Sequence, residues 1–225
     1  MSKLEISLEY ASLRLPGHCP LGVWVIPSPD DIHHWCGTLF VHRGYYAGGI
    51  YKFTIDFSSN YPFDGQTPQV RFQTDCFHPL IDQANQGLFN LAIKFPTWKP
   101  HETFICNLLY YLKSCFKRTG LESIIASGDE SIAFNKHAFR LYRDQTDVFA
   151  TLAAQSSTLS SSPTSLYDQP SSSMQKTLST SSQTDPQALG AKDNGDPNKS
   201  QHLIQFDPLD DDQFKKLRQK IFLEF

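Results

Sequence analysis

Cys76 and His78 lie two residues apart, so an extended chain would point their thiol and imidazole to the same side. A cysteine attacks as its thiolate, and an adjacent imidazole is one means of producing it. No carboxylate or amide is evidently placed to orient that ring. Cys76 therefore reads first as a structural cysteine, with a reactive thiol as the alternative. His33, His34 and His42 could face one another across a hairpin, but no metal-ligand motif accompanies them and a zinc centre is not the expected reading. The five cysteines, Cys19, Cys36, Cys76, Cys106 and Cys115, are an odd number and contain no CxxC pair. They suit a reduced intracellular protein with mostly buried thiols. No metal and no cofactor is implied.

Whole-chain properties narrow the classes further. The 225 residues carry 20 basic and 23 acidic side chains, a formal charge of −3, which gives no electrostatic grip on nucleic acid. No run of about 18 apolar residues could span a membrane. The opening MSKLEISLEYASL lacks the apolar core of a secretory signal and the second-position Gly of a myristoylated chain.

Strand-like segments come first along the chain. Val23–Ile26 is short and apolar; His33–His42 alternates Trp35, Gly37, Leu39 and Val41 against Cys36, Thr38, Phe40 and His42; Ile50–Phe57 alternates in the same way; Gln69–Phe72 is a fourth. Short turns between them imply an antiparallel meander. Helical stripes follow: Phe104, Leu108, Tyr111, Leu112 and Cys115 within Thr103–Phe116, then Phe134, Ala138, Leu141, Tyr142, Phe149 and Leu152 within Ser131–Leu152, with Asp129 and Glu130 at that helix's positive end. Leu4, Leu8 and Ala11 share the face of a short opening helix. Strands then helices make an α+β domain over residues 1–152.

Residues 153–200 are rich in Ser, Thr and Pro, and their large apolar residues are isolated. Such a segment cannot offset an ordering cost of about 1–2 kcal/mol per residue, so a disordered linker is expected, with Ser162-Pro163 one candidate phosphorylation site. In the final segment, 201–225, Phe214, Leu217, Ile221 and Phe225 share a helical face behind Asp210, Asp211 and Asp212. Burying those four side chains would contribute about 6–12 kcal/mol. Ordering the segment costs more than that before helix hydrogen bonds are counted, so the helix is expected to dock, on its own domain or on a partner.

About 30 residues with little periodicity separate the last strand from the first long helix, and a loop that long inside a domain is usually functional. They and their flanks carry Tyr61-Pro62, Pro68, Phe72, Phe77-His78-Pro79, Gly87, Trp98 and Pro100 in order. Over roughly residues 8–150 this series resembles the ubiquitin-conjugating domain, with its YP, HPN, GxICLD and WxP signatures. The resemblance implies a ubiquitin-conjugating-like fold. It also implies that Asn90 stands where the family's nucleophilic cysteine should be, and Leu80 where the HPN box has Asn. A carboxamide forms no thioester, so the resemblance implies a catalytically inactive homologue. His78, Pro79, Trp98 and Pro100 are then expected to hold the fold. The turn aromatics Tyr45 and Tyr46 are read as packing, with a partner contact as the alternative.

Four stretches, LEYASL, LFVHRGYYAGGIYKFTIDFSSNYP, CFHPLID and IQFDPLDDDQFKKLRQKIF, are similar to the Fused Toes (Akt-interacting protein) family of ubiquitin-conjugating-enzyme variants. Fewer residues separate LEYASL from VWVIPS than in that family, so the first helix is expected to be short. Membership implies a cytoplasmic adaptor joining a Hook coiled-coil protein and a Fused-Toes-and-Hook-interacting protein in vesicle and endosome trafficking along microtubules. Weak ubiquitin binding stays open. The alternative is an inactive variant subunit that assists an active conjugating enzyme in chain synthesis; a compact subunit of that kind would not need the C-terminal helix.

Overall fold

Period-two alternation builds a sheet whose first four strands are β1 (Val23–Pro27), β2 (His34–Phe40), β3 (Ile50–Asp56) and β4 (Gln69–Phe72), each antiparallel to the next. The computed structural model describes residues 2–126, 128–167 and 203–223. Register places Trp35 opposite Ile55 and Leu39 opposite Tyr51, and with Phe53 all are fully buried. Each such side chain contributes about 1.5–3 kcal/mol on leaving water.

The four expected strands are present, and the sheet has two more, β5 (Ile81–Asp82) and β6 (Leu88–Phe89), in the order β1-β2-β3-β4-β6-β5. Strands of two residues leave no period to read. Gly87 makes their attachment possible: its φ is +69°, and a Cβ there would lie 1.9 Å from the Phe72 carbonyl oxygen.

The helices are α1 (Ser2–Ser12), α2 (Ile105–Cys115), α3 (Arg118–Ala126), α4 (Lys136–Asp144), α5 (Thr146–Ser160), α6 (Pro163–Leu166) and α7 (Asp211–Leu223). The opening helix is present, but its expected inner face points outward. Leu4 and Leu8 are 64% and 56% exposed, whereas Ile6 is buried. Glu9, one turn from Ile6, fixes this orientation. Its carboxylate accepts from the Tyr61 hydroxyl at 2.9 Å and from the Ile105 backbone N–H at 3.1 Å, one of the donors left orphaned in the first turn of α2. In α2 the buried stripe starts at Ile105; Phe104 precedes the helix and is 44% exposed.

The single helix expected over Ser131–Leu152 is broken. A 3-10 turn occupies Glu130–Ile132, capped by Asp129, and Asn135 accepts from the Ala138 N–H at 3.0 Å to open α4. These local side-chain bonds override the apolar period, so Phe134 stays partly exposed between them. Gln145, outside helical geometry, separates α4 from α5.

The domain boundary expected after Leu152 is too early. α5 continues to Ser160, and the chain divides into units at Leu166. Ser156 Oγ accepts from the Phe77 N–H at 3.1 Å, Ser160 Oγ accepts from the Ile50 N–H at 3.0 Å, and Ser157 Oγ lies 3.0 Å from the Tyr51 hydroxyl. All three serines are buried. Their hydroxyls resemble linker composition but satisfy backbone and phenol groups at the sheet. Most of the expected linker lies outside the described residues.

In the C-terminal unit, Asp210 and Gln213 cap α7 reciprocally. The Gln213 N–H donates to Asp210 Oδ1 at 2.7 Å, and the Asp210 N–H donates to Gln213 Oε1 at 3.2 Å. Phe214 and Leu217 are exposed. The Ile221 side chain and Phe225 lie outside the described residues.

Two stability outcomes follow from this packing. Replacing Glu9→Ala strands the Tyr61 hydroxyl and the Ile105 N–H, and should lower unfolding free energy by about 1–3 kcal/mol in urea titrations, more than Leu4→Ala does. A chain ending at Leu152 should be at least about 3 kcal/mol less stable than one ending at Leu166, because three partners lose their serines. Equal urea midpoints for the two chains would contradict the role given to α5.

Candidate functional site

The loop between β4 and β6 is organised by His78, which is fully buried. Its Nε2 donates to the Cys115 carbonyl at 3.1 Å, and its Nδ1 accepts from the Leu80 backbone N–H at 3.0 Å. That pair of bonds selects the neutral Nε2–H tautomer. The ring stacks on Phe116, with centroids 4.9 Å apart. Burial depresses its pKa to about 4, opposed by the bond to Cys115. Pro79 is buried, and its carbonyl accepts from the Asn135 N–H at 2.9 Å, fastening the loop to the start of α4. Leu80 is fully buried, as an apolar residue at that position should be.

Asn90 follows β6 directly and is 8% exposed. Its Nδ2 donates to the Ile132 carbonyl at 2.7 Å, its Oδ1 accepts from the Ala92 N–H at 3.0 Å, and its own N–H donates to the Leu80 carbonyl at 2.8 Å. The side chain therefore ties the loop after β6 to the 3-10 turn before α4. Ile132 lies 42 residues away and contributes a backbone atom, so no residue-type signal could have found this partner.

Cys76 and His78 do not form an activated pair. Both imidazole nitrogens are bonded elsewhere, and Cys76 is buried with its thiol pushed well up by desolvation. Tyr51 and Ser156 are its polar neighbours. Burial also raises Cys19 and Cys106, and it pushes Cys115 up to about 12. A thiol raised in this way is a poor nucleophile at neutral pH.

Trp98 is buried against Tyr61 and Phe95, at centroid distances of 5.8 and 5.7 Å, and Pro100 is half-buried. Tyr46 is fully buried and donates to the Phe77 carbonyl at 2.7 Å, while Tyr45 packs edge-on to Tyr142 and Phe149. The turn aromatics therefore belong to the core. His33 bonds Asp31 and Ser2, whereas His34 bonds Asp56 at 2.6 Å. Among the described residues no three His, Cys, Asp or Glu side chains gather as metal ligands, and no helix is long and apolar enough to cross a membrane.

Residues 7–156 match the ubiquitin-conjugating enzyme family, and the chain belongs to that family. Similar proteins include crossbronx and AKT-interacting proteins. Protein crossbronx of Drosophila mojavensis is 30% identical over 149 residues, covering 66% of this chain and 59% of its own length. The AKT-interacting protein of Xenopus tropicalis is 31% identical over 149 residues, 66% of this chain and 47% of its own. A crossbronx homolog of Anopheles gambiae is 33% identical over 113 residues, 50% of this chain and 48% of its own. The match thus spans about half to three-fifths of these relatives' length, and the Fused Toes resemblance read from the sequence holds.

The His78 geometry fixes an acid response. The folded pKa lies below the unfolded value, so the unfolded chain takes up the proton first. The stabilisation is complete above about pH 6.5 and lost as pH falls toward about 4. The gap between 6.5 and about 4 corresponds to about 3 kcal/mol. Urea unfolding across that range should show a shallower pH slope for His78→Gln than for the parent chain; parallel slopes would contradict it.

Proposed function

We propose that this protein acts by binding and does not carry ubiquitin as a thioester. One observation carries the reading: Asn90, which the resemblance sets in the place of the family's nucleophile, has its carboxamide committed as donor to Ile132 and as acceptor from Ala92. Leu80 is read, on the same resemblance, in the place of the amide that would shape an oxyanion site, and burial raises the Cys76 and Cys115 thiols, which makes them poor nucleophiles. Membership among the crossbronx and AKT-interacting variants supports the same conclusion.

The reading continues to a cytoplasmic adaptor of the Fused Toes type, peripheral to endosomal membranes or microtubules, joining a Hook coiled-coil protein and a Fused-Toes-and-Hook-interacting protein. The name of the Xenopus relative describes an interaction with AKT, so binding is the property on record for that protein. The face proposed for the partner is that of α7, on which Phe214 and Leu217 stand exposed; by sequence spacing alone Ile221 and Phe225 belong to the same stripe.

With activating enzyme, ATP and ubiquitin, the chain should give no adduct reducible by thiol. The Asn90→Cys variant should still charge at least about 100-fold more slowly than an active conjugating enzyme, because a missing oxyanion donor alone costs about 10²–10³ in rate. A wild-type adduct would overturn the reading. For the partner face, affinity purification of the intact chain should recover Hook protein, and Phe214→Asp with Leu217→Asp should abolish it. Recovery of an active conjugating enzyme with ubiquitin, and no Hook, would favour the chain-synthesis subunit instead.

A further inference from the structure

Between the end of β2 and the end of α2 lies a cleft of about 210 Å³. Its floor is Leu39, Val41 and Phe116, all buried, and its rim carries Arg43, Lys113 and Lys117, with His42 beside them. None of the lining side chains is acidic. This is a local excess of positive charge in a chain whose formal charge is −3. Arg43 and Lys117 are exposed and make no ion pair among the described residues, whereas Arg118 next along the chain is paired with Glu122 at 2.8 Å.

The C-terminal end of a helix favours cations, which accounts for Lys113 and Lys117 alone. Arg43 comes from the turn after β2. That turn is brought against the helix end at Gly44, whose φ is +91° and whose Cβ position would lie 3.7 Å from the Phe116 carbonyl oxygen. Lys113 is held over the cleft by donating its ammonium to the Leu21 carbonyl. Partial burial, then the neighbouring Lys117, pull its pKa down against a smaller opposing pull from Cys19, so two like charges are held together at the rim.

Size decides what could fill the space. Cavities that take drug-sized ligands are about 300–1,000 Å³, whereas about 150 Å³ is enough for benzene. The cleft therefore suits one large apolar side chain, and its rim suits carboxylates on either side of it. We propose that this cleft binds an acidic peptide segment of a partner protein through a single aromatic or leucine anchor. Binding here requires neither a thioester at Asn90 nor a Hook protein on α7.

The test is fluorescence anisotropy with the full chain and a labelled synthetic peptide in which one Phe is flanked by runs of Asp and Glu. Affinity should fall at least about tenfold between about 50 mM and 300 mM salt. It should fall by a similar factor on combining Arg43→Glu with Lys117→Glu, both exposed positions, and when the peptide Phe is replaced by Ala. A charge-swapped peptide, Phe flanked by Lys, should bind the double variant better than the parent chain. Equal peptide affinity for the parent and the double variant would overturn the proposal. So would binding of the parent to phosphatidylserine vesicles that the double variant loses, with no measurable peptide binding, since that outcome assigns the cleft to a lipid surface.

Discussion

One buried imidazole sets the geometry of everything around the loop. His78 joins α2 through the Cys115 carbonyl and its own loop through the Leu80 N–H, while its face lies on Phe116. Removing either bond would leave a buried polar group unpaired, at a cost comparable to a large fraction of a domain's net stability. Pro79 passes the constraint to α4 through Asn135, and Leu80 passes it to the segment after β6 through Asn90. The sheet, the crossover loop and two helices are thereby held by one short run of chain.

Conjugation chemistry would demand the opposite arrangement. A thioester-forming centre needs an accessible thiolate and a donor aimed at developing negative charge. Here the loop is closed by bonds to the elements packed around it. Asn90 spans to Ile132, Cys76 is packed between Tyr51 and Ser156, and His78 has no free nitrogen. These contacts make the loop a brace between the sheet, α2 and the start of α4.

Most of the sheet was legible because period two is written into residues such as Trp35, Leu39, Phe53 and Ile55, whose burial needs no distant partner to be inferred. The identity of the loop was legible from rare residues in order, His78, Pro79, Gly87, Trp98 and Pro100. What could not be read depended on contacts between segments remote in sequence. Leu4 and Leu8 make a convincing apolar face, yet Glu9 turns it outward by bonding Tyr61 and Ile105. Ser156, Ser157 and Ser160 have linker composition, yet they satisfy Phe77 in the loop after β4 and Tyr51 and Ile50 in β3. β5 and β6 owe their place to the close approach at Gly87, and Asn90 owes its role to a backbone carbonyl far along the chain.

The most direct test of this account is the protonation state of His78 itself, followed by long-range 1H–15N NMR correlation of its ring from about pH 7.5 down to about pH 4.5. The account predicts a neutral ring protonated at Nε2 over nearly the whole range, consistent with a pKa of about 4. An Nδ1–H tautomer, or an imidazolium forming near the ordinary value of 6.5, would contradict it, because His78 could then be neither buried nor bonded at both nitrogens as described.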